Sequence, residues 1–341
     1  MTDLTYSRTE HLHNRLARTP LLDLPLHSRL HPLQTIHRLN ASVFVKREDE
    51  LPLAAGGSKV RKFASLLPFL TRHRFDEVWV VGGAQSNAVA GLVPLLRQQG
   101  QPYRLILRGA PDQYRPTGNH LLIRLCTPPE AIDWIARSNW PHALELTRTR
   151  AEALRAQGRS CYIIEEGASV EPALAGCLTL WADLNRHELA LGRLIDHVLI
   201  DAGTGMTAAA LLWADAYVGS NRQHHILLTA GTEESFAAVL ARFGRAFVQW
   251  LGASPDEPPV RYRLYPPQRP FGRVGPAELA ASRHWFRAEG LPADPVYSAP
   301  LLDWTARLVA EQPLSGMVVV VHGGGTGGLF GWADGLAAGL E

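Results

Sequence analysis

Lysine is nearly missing from this chain. Of 34 basic residues only Lys46, Lys59 and Lys62 are lysine, and all three fall within one short segment. A general preference for arginine says nothing about function. A lysine kept against that preference can be one whose chemistry guanidinium cannot copy, because an ammonium can lose its proton when buried and form an imine. Cysteine is scarce too: Cys126, Cys161 and Cys177 are widely spaced, with neither a CxxC pair nor zinc-ligand spacing. Reduced thiols and a cytosolic setting are expected. The net charge of +2 and the lack of any Lys/Arg block argue against a nucleic-acid partner. No apolar run reaches the roughly 18 residues of a membrane helix. The start, MTDLTYSRTEHLH, has no basic stretch leading into an apolar core, so no secretory signal is expected. Metal and hydrolase signatures are missing as well: there is no HExxH, no Walker A and no GxSxG. His11 and His13 do not form a convincing metal site, so no metal is expected. Glu165 and Glu166 are adjacent, which on a strand turns the two carboxylates to opposite faces and argues against an acid/base dyad.

What is present is ordinary globular material: 341 residues, 46% hydrophobic and 19% charged. At roughly 150 residues per domain this suggests about two lobes. Apolar runs alternate with helix-like segments. SVFVK at 42–46, EVWVVGG, PYRLILRG, SCYIIEEG, HVLIDAGTG, HHILLTAGT and MVVVVHGGG read as strands. Helices are expected from Lys59 (with Ser58 as N-cap), after AQSN, over Leu174–Glu188, after AGTG and at TGGLFGWADGLAAGL. Residues 1–40 read as an arm, 128–157 as helical material broken at Pro141, and 255–276 as a surface excursion. Continuous apolar strands between helices indicate a parallel sheet covered on both faces.

Three glycine-rich turns follow strands, where ligands bind in open α/β sheets. Gly203, Thr204, Gly205, Met206 and Thr207 open a helix, and their N–H groups and hydroxyls suit a phosphate. Read as GxGxxA they are a weak dinucleotide fingerprint, and no acidic residue follows at the right distance. Gly82-Gly83-Ala84-Gln85-Ser86-Asn87 suits a small anion or a phenolic oxygen, or is only a polar helix cap. His322-Gly323-Gly324-Gly325-Thr326 allows close backbone approach, or is a plain turn, and His322 reads as structural.

In combination these segments resemble the pyridoxal-phosphate family of D-cysteine desulfhydrase and 1-aminocyclopropane-1-carboxylate deaminase. RTPLLDLP resembles its N-terminal TPL segment, VKREDELPLAAGGSKVRKFASLLP its KRDD…GGNKxRK signature and GGAQSN its GGxQSN. AGTGMT resembles its phosphate cup, DPVYSAPL its DPVY and VHGGGTGGLFGW its HTGGxxGLF. The resemblance implies an α/β fold of type II: two lobes with parallel-rich, open twisted sheets covered by helices. Residues 1–61 and 171–341 would form a large cofactor-binding domain and 62–170 a small α/β domain. It implies pyridoxal 5′-phosphate held as a Schiff base by Lys59, with Asn87 on its 3′ oxygen and 203–207 on its phosphate. Tyr297 and Ser86 would be catalytic, Gln85 and Ser86 near the substrate carboxylate, and Ser298 or Thr326 at the ring nitrogen. The chain departs from the family pattern at Ala88 (usually His), Phe271 (a loosely aligned tyrosine, on the substrate side), Ser298 (a carboxylate in the deaminase), Gly323 (Thr), and in EEGASV for PEGGSN. The implied activity is a lyase that removes a β substituent from a small amino acid, desulfhydrase-like, to give keto acid and ammonia. Alternatives are cyclopropane deamination, or binding of cofactor or amino acid without turnover; a nicotinamide enzyme ranks last. A cytoplasmic homodimer is expected.

Overall fold

In the computed structural model, which describes residues 3–36, 41–51, 56–256 and 261–338, two sheets share one interior. Ten strands form them: β1 (Leu30–Pro32), β2 (Ala41–Arg47), β3 (Glu77–Gly83), β4 (Tyr103–Arg108), β5 (Ile132–Ile135), β6 (Cys161–Ile164), β7 (His197–Ala202), β8 (Gln223–Leu228), β9 (Tyr262–Tyr265) and β10 (Gly316–His322). The helices are α1 (Asp3–Ala17), α2 (Lys59–His73), α3 (Asn87–Gln98), α4 (Gly118–Cys126), α5 (Ala143–Ala156), α6 (Leu174–Leu191), α7 (Met206–Val218), α8 (Glu233–Leu251), α9 (Pro276–Glu289), α10 (Ser298–Glu311) and α11 (Ala333–Ala337).

The large sheet has the order β1-β2-β10-β7-β8-β9, all parallel except β1; the small sheet, β5-β4-β3-β6, is wholly parallel. The expected parallel α/β class is thus borne out. Met317–Val321 of β10 are at most 1% exposed, as a strand covered on both faces requires. In each sheet the strand order reverses once. From β7 the chain moves outward to β8 and β9 on one side, while β10 and β2 lie on the other. From β3 it moves to β4 and β5, while β6 lies opposite. Such switch points open a crevice at the carboxyl ends of the strands.

The proposed boundary at 61/62 falls inside α2, which is packed tightly on α6. A Cβ at Gly176 of α6 would stand 1.8 Å from the Arg61 carbonyl, so only glycine permits this crossing. Leu66, Leu67 and Leu70 of α2, Val89 and Leu92 of α3, and Trp181 and Leu184 of α6 belong to one buried cluster.

Several local expectations are corrected. The arm contains a 15-residue helix, α1. Ile132–Ile135, read as helical, is strand β5, and Tyr262–Tyr265, read as part of an excursion, is strand β9. The last helix is mostly a 3-10 stretch, Thr326–Trp332, before the short α11. Ser58 does not cap α2 with its side chain, because its backbone is itself αR.

Candidate active site

Both switch points face one cleft. The large sheet contributes Asp201–Thr207 from the end of β7 onward and His322–Thr326 from the end of β10 onward. The small sheet contributes Gly82–Asn87 from the end of β3 onward and Glu165–Ser169 after β6. Lys59 enters as the first residue of α2. The turn before it is set against the loop after β10: Ser58 N–H donates to the Gly323 carbonyl (2.9 Å), and a Cβ at Gly57 would lie 2.4 Å from that oxygen. Backbone contact, rather than a capping side chain, therefore fixes where Lys59 begins.

Beneath α2 lies a buried ion network. Arg61 donates to Glu48 (2.5 and 2.8 Å) and to Asp183 (2.9 Å). Lys46 donates to Asp183 (2.5 Å) and to the Ser28 carbonyl. Lys46, Glu48 and Arg61 are fully buried. Burial alone would raise the Asp183 carboxyl, but Lys46 and Arg61 overcome it and hold the group down at about 2.

Lys62 extends from the same helix to the other side. Its ammonium donates to the Gly167 carbonyl (2.8 Å) and Ser169 Oγ (3.2 Å). Ser169 Oγ meets Thr204 Oγ1 at 2.6 Å. One turn of α2 thus ties the loop after β6 to the turn after β7. Burial without a carboxylate partner lowers Lys62 to about 7.

The Gly203–Thr207 turn leads into α7, whose first N–H groups have no intrahelical partner. A cavity of about 420 Å³ opens on it, lined among others by Trp140, Leu144, Glu166, Gly203, Thr204 and Phe236, a size in the range of small-ligand sites. Among the described residues the buried Thr229 hydroxyl has no hydrogen-bond partner, and it lies 3.7 Å from where a Cβ at Gly203 would stand; the Tyr297 ring is 3.5 Å from that point. A side chain at 203 would fill this space. A bare backbone, two threonine hydroxyls, an orphan buried hydroxyl and a helix N-terminus fit a phosphate.

On the opposite wall Ser86 is the N-cap of α3, its Oγ accepting from Val89 N–H (3.3 Å). Asn87 Oδ1 accepts from Asn119 Nδ2 (2.5 Å), and its amide nitrogen would lie 2.6 Å from a Cβ at Gly325. The Gln85 side chain, expected at the substrate carboxylate, is spent elsewhere: it donates to the Thr117 carbonyl and accepts from His120 N–H. Phe271 is exposed, its ring centroid 5.8 Å from that of Tyr297. Burial, together with Asp294, Asp201 and Glu166, pushes the Tyr297 hydroxyl up, so it keeps its proton. Ser298, expected at a ring nitrogen, is 1% exposed, and its hydroxyl lies against Asp294 (2.9 Å) and the Gly324 carbonyl (3.1 Å). Thr326 is half-buried at the start of the 3-10 stretch. Ala88 is buried in the first turn of α3. His322, fully buried, accepts from Gly324 N–H, as a structural histidine would.

Four residues were not singled out in the sequence as site residues. Asn119 holds Asn87. Arg108, at the end of β4, lies 3.8 Å from a Cβ position at Gly83 and over the Trp140 ring, and among the described residues it makes no close ion pair. Glu166 is pushed up by burial against the pull of Arg108. Asp201 is discussed below. Only the grouping of lysines had pointed to Lys62.

No family model matches the chain. Relatives align along most of it. A 1-aminocyclopropane-1-carboxylate deaminase from Mesorhizobium japonicum is 27% identical over 90% of this chain and 96% of its own. The rice sequence named "Putative D-cysteine desulfhydrase 2, mitochondrial" is 25% identical over 85% of this chain and 79% of its own. Among solved structures, an ACC deaminase homologue superposes with a TM-score of 0.81 at 24% identity, covering 96% of this chain and 98% of that one. Diaminopropionate ammonia lyase from Escherichia coli shares the fold at a TM-score of 0.62 and 14% identity. The chain is thus similar along most of its length to 1-aminocyclopropane-1-carboxylate deaminases and to a sequence named for D-cysteine desulfhydrase, and it shares the two-sheet fold of an ACC deaminase homologue.

Proposed function

We propose that the protein is a pyridoxal-phosphate-dependent lyase that eliminates a β substituent from a small amino acid, as a desulfhydrase does. The products are a keto acid, ammonia and, from cysteine, sulfide. What supports this reading is that the turn before Lys59 lies against Gly323, that Gly323 faces Asp201 just before the Gly203 turn, and that Gly325 faces Asn87 at the start of α3.

Bound pyridoxal phosphate supplies an electron sink for the charge left when a Cα–H bond breaks. The chain supplies the rest. Thr204, Thr207 and the first N–H groups of α7 hold the phosphate. Asn87, oriented by Asn119, is the candidate partner of the phenolic oxygen. The N-terminus of α3 with Ser86 binds the substrate carboxylate, since anions are favoured at helix N-termini. Lys59 anchors the cofactor; its amine, once free, takes the Cα proton as a positioned base. The enamine released on loss of the leaving group hydrolyses in water.

The names of the relatives also favour opening of a cyclopropane ring. That reaction asks for an additional group at the ring carbon. Phe271 has no hydroxyl, and Tyr297, kept protonated, is a proton donor rather than a nucleophile. Elimination, which asks chiefly for one base, is the better match.

The test is the absorption spectrum of the purified chain with added pyridoxal phosphate, beside Lys59→Ala, followed by keto-acid release from D- and L-cysteine, β-chloroalanine and the cyclopropane acid. A visible band that requires Lys59, with release from cysteine or chloroalanine, supports the reading. Release from the cyclopropane acid alone replaces it with deamination. A band without any product makes the chain a binding protein, and no band in folded wild type removes the cofactor.

A further inference from the structure

Asp201 is the penultimate residue of β7, at the switch point beside β10, two positions before the Gly203 turn. It is half-buried in the cleft. A Cβ at Gly323 would lie 3.6 Å from its Oδ1 and 3.5 Å from Ser58 Oγ, so the glycine leaves open the space between this carboxyl and the turn that carries Lys59. The charged and titratable groups around it are Lys59 from α2, and Asp294 and Tyr297 from the segment before α10.

The neighbouring acids all have donors. Asp294 accepts from the N–H groups of Val296, Tyr297 and Ser298. Asp49 is held by Arg47 (2.7 Å), and Glu166 accepts from Trp140. Among the described residues no side chain donates to Asp201. Burial pushes its carboxyl up to about 6, and the Lys59 ammonium offsets this only in part. Its remaining donor is a backbone N–H; a desolvated carboxyl without a side-chain donor is costly, and in a cleft it marks a place where a ligand can bring one.

The ligand's chemistry narrows which atom that is. Pyridoxal phosphate held by the 203–207 turn and by Lys59 would turn its ring toward the strand end between them. The ring nitrogen is the basic atom left over. Ser298 is poorly placed to serve it, since the hydroxyl is buried between Asp294 and the Gly324 carbonyl.

We propose that Asp201 is the acid partner of the ring nitrogen of bound pyridoxal phosphate, a role taken from the strand end of β7 rather than from position 298. In that role the Asp201 carboxyl would supply a proton to the ring nitrogen and remain as its carboxylate partner. This rests on the cofactor reading above, and it means that Ser298 does not leave the electron sink unprotonated.

The experiment is ¹⁵N NMR of the full chain loaded with cofactor labelled at the ring nitrogen, in wild type, Asp201→Asn and Ser298→Ala, with melting temperatures recorded in parallel. The proposal expects a protonated nitrogen in wild type and Ser298→Ala, an unprotonated one in Asp201→Asn, and cofactor affinity about tenfold weaker in Asp201→Asn, the scale of one charge-assisted hydrogen bond. A nitrogen signal unchanged in Asp201→Asn, or lost in Ser298→Ala, overturns it. Asp201→Ser carries the same test if the asparagine variant fails to fold. A Lys59-dependent visible band with an unmoved nitrogen signal rejects Asp201 alone, whereas no band in wild type rejects the cofactor reading and this proposal with it.

Discussion

Helix α2 carries charge into two settings. Along its buried side Arg61 meets Glu48 and Asp183, which also bind Lys46, so each buried charge has a counter-charge and a hydrogen bond. In the cleft at its N-terminus the balance is broken. Among the described residues, Lys59 stands near Asp201, whose carboxyl has no side-chain donor, and Arg108 acts on the buried Glu166 without forming a close ion pair with it. Both regions hold charges inside the molecule. The first is complete and holds the helix in place. The second is incomplete, and completing it is work for a ligand. The scarce lysines divide along the same line: Lys46 is structural, Lys59 faces the cleft, and Lys62 joins the two by holding the loop against Thr204.

The sharpest way to break this comparison is Lys59→Ala. It should abolish the visible cofactor band and reduce turnover by at least about a thousandfold, within the range for losing a positioned base, without a comparable loss of stability. Spectra and urea unfolding report the two separately.

The opposite result is expected for Asp183→Ala. Removing one of the network's two carboxylates leaves Lys46 and Arg61 sharing Glu48 alone in the interior and should cost about 3–5 kcal/mol in urea unfolding, while protein that remains folded keeps its cofactor band. The pH dependence has a definite sign. The folded carboxyl is held at about 2, below its ordinary 3.8. Its stabilisation is therefore present above pH 3.8 and is lost as pH falls toward 2, and Asp183→Asn should flatten that part of the acid limb.

Lys62→Met lies between the two regions. It leaves the Gly167 carbonyl and Ser169 without their donor and should cost about 1–3 kcal/mol. In the cofactor-free chain Lys62 titrates near 7 when folded against 10.5 ordinarily. The unfolded chain binds the extra proton between those values, so Lys62 makes wild type more stable as pH rises from 7 to 10.5. The methionine variant should lose that rise, which thermal melts across the range would detect.

The smallest effect is expected at Ser298. Its hydroxyl belongs to the completed contacts around Asp294, so Ser298→Ala should lower stability by only about 0.5–1.5 kcal/mol and leave the cofactor band in place. A lost band would move Ser298 into the incomplete set.

The regular parts of the fold were legible because long apolar strands and helical periodicity are local. EVWVVGG, HVLIDA and MVVVVH could only be covered strands. The short elements were not legible. Ile132–Ile135 and Tyr262–Tyr265 are four-residue edge strands whose partners, β4 and β8, pair with them far along the chain, and nothing within four residues distinguishes such a segment from a helix or loop. The glycine turns announced a ligand site through their spacing. Which side chains would face it could not be read. Gln85 has the right chemistry but is bound to the 117–120 segment, and Ser298 has a hydroxyl but keeps it for Asp294.

The sequence by itself determined the class of fold, because burial on both faces imposes apolar runs. It also determined where glycine turns end strands, because those turns need backbones without side chains. Its motifs carried the resemblance to the pyridoxal-phosphate family. Only the tertiary structure decided which charges are paired. Asp183 and Asp201 are both acids set in apolar stretches of chain, and neither has its partners nearby in sequence. Lys46 and Arg61 come to Asp183 from β2 and α2, whereas the switch point between β7 and β10 brings Asp201 to the cleft without a side-chain donor among the described residues. Pairing depends on contacts between residues far apart in the chain, and those exist only once the sheets have assembled.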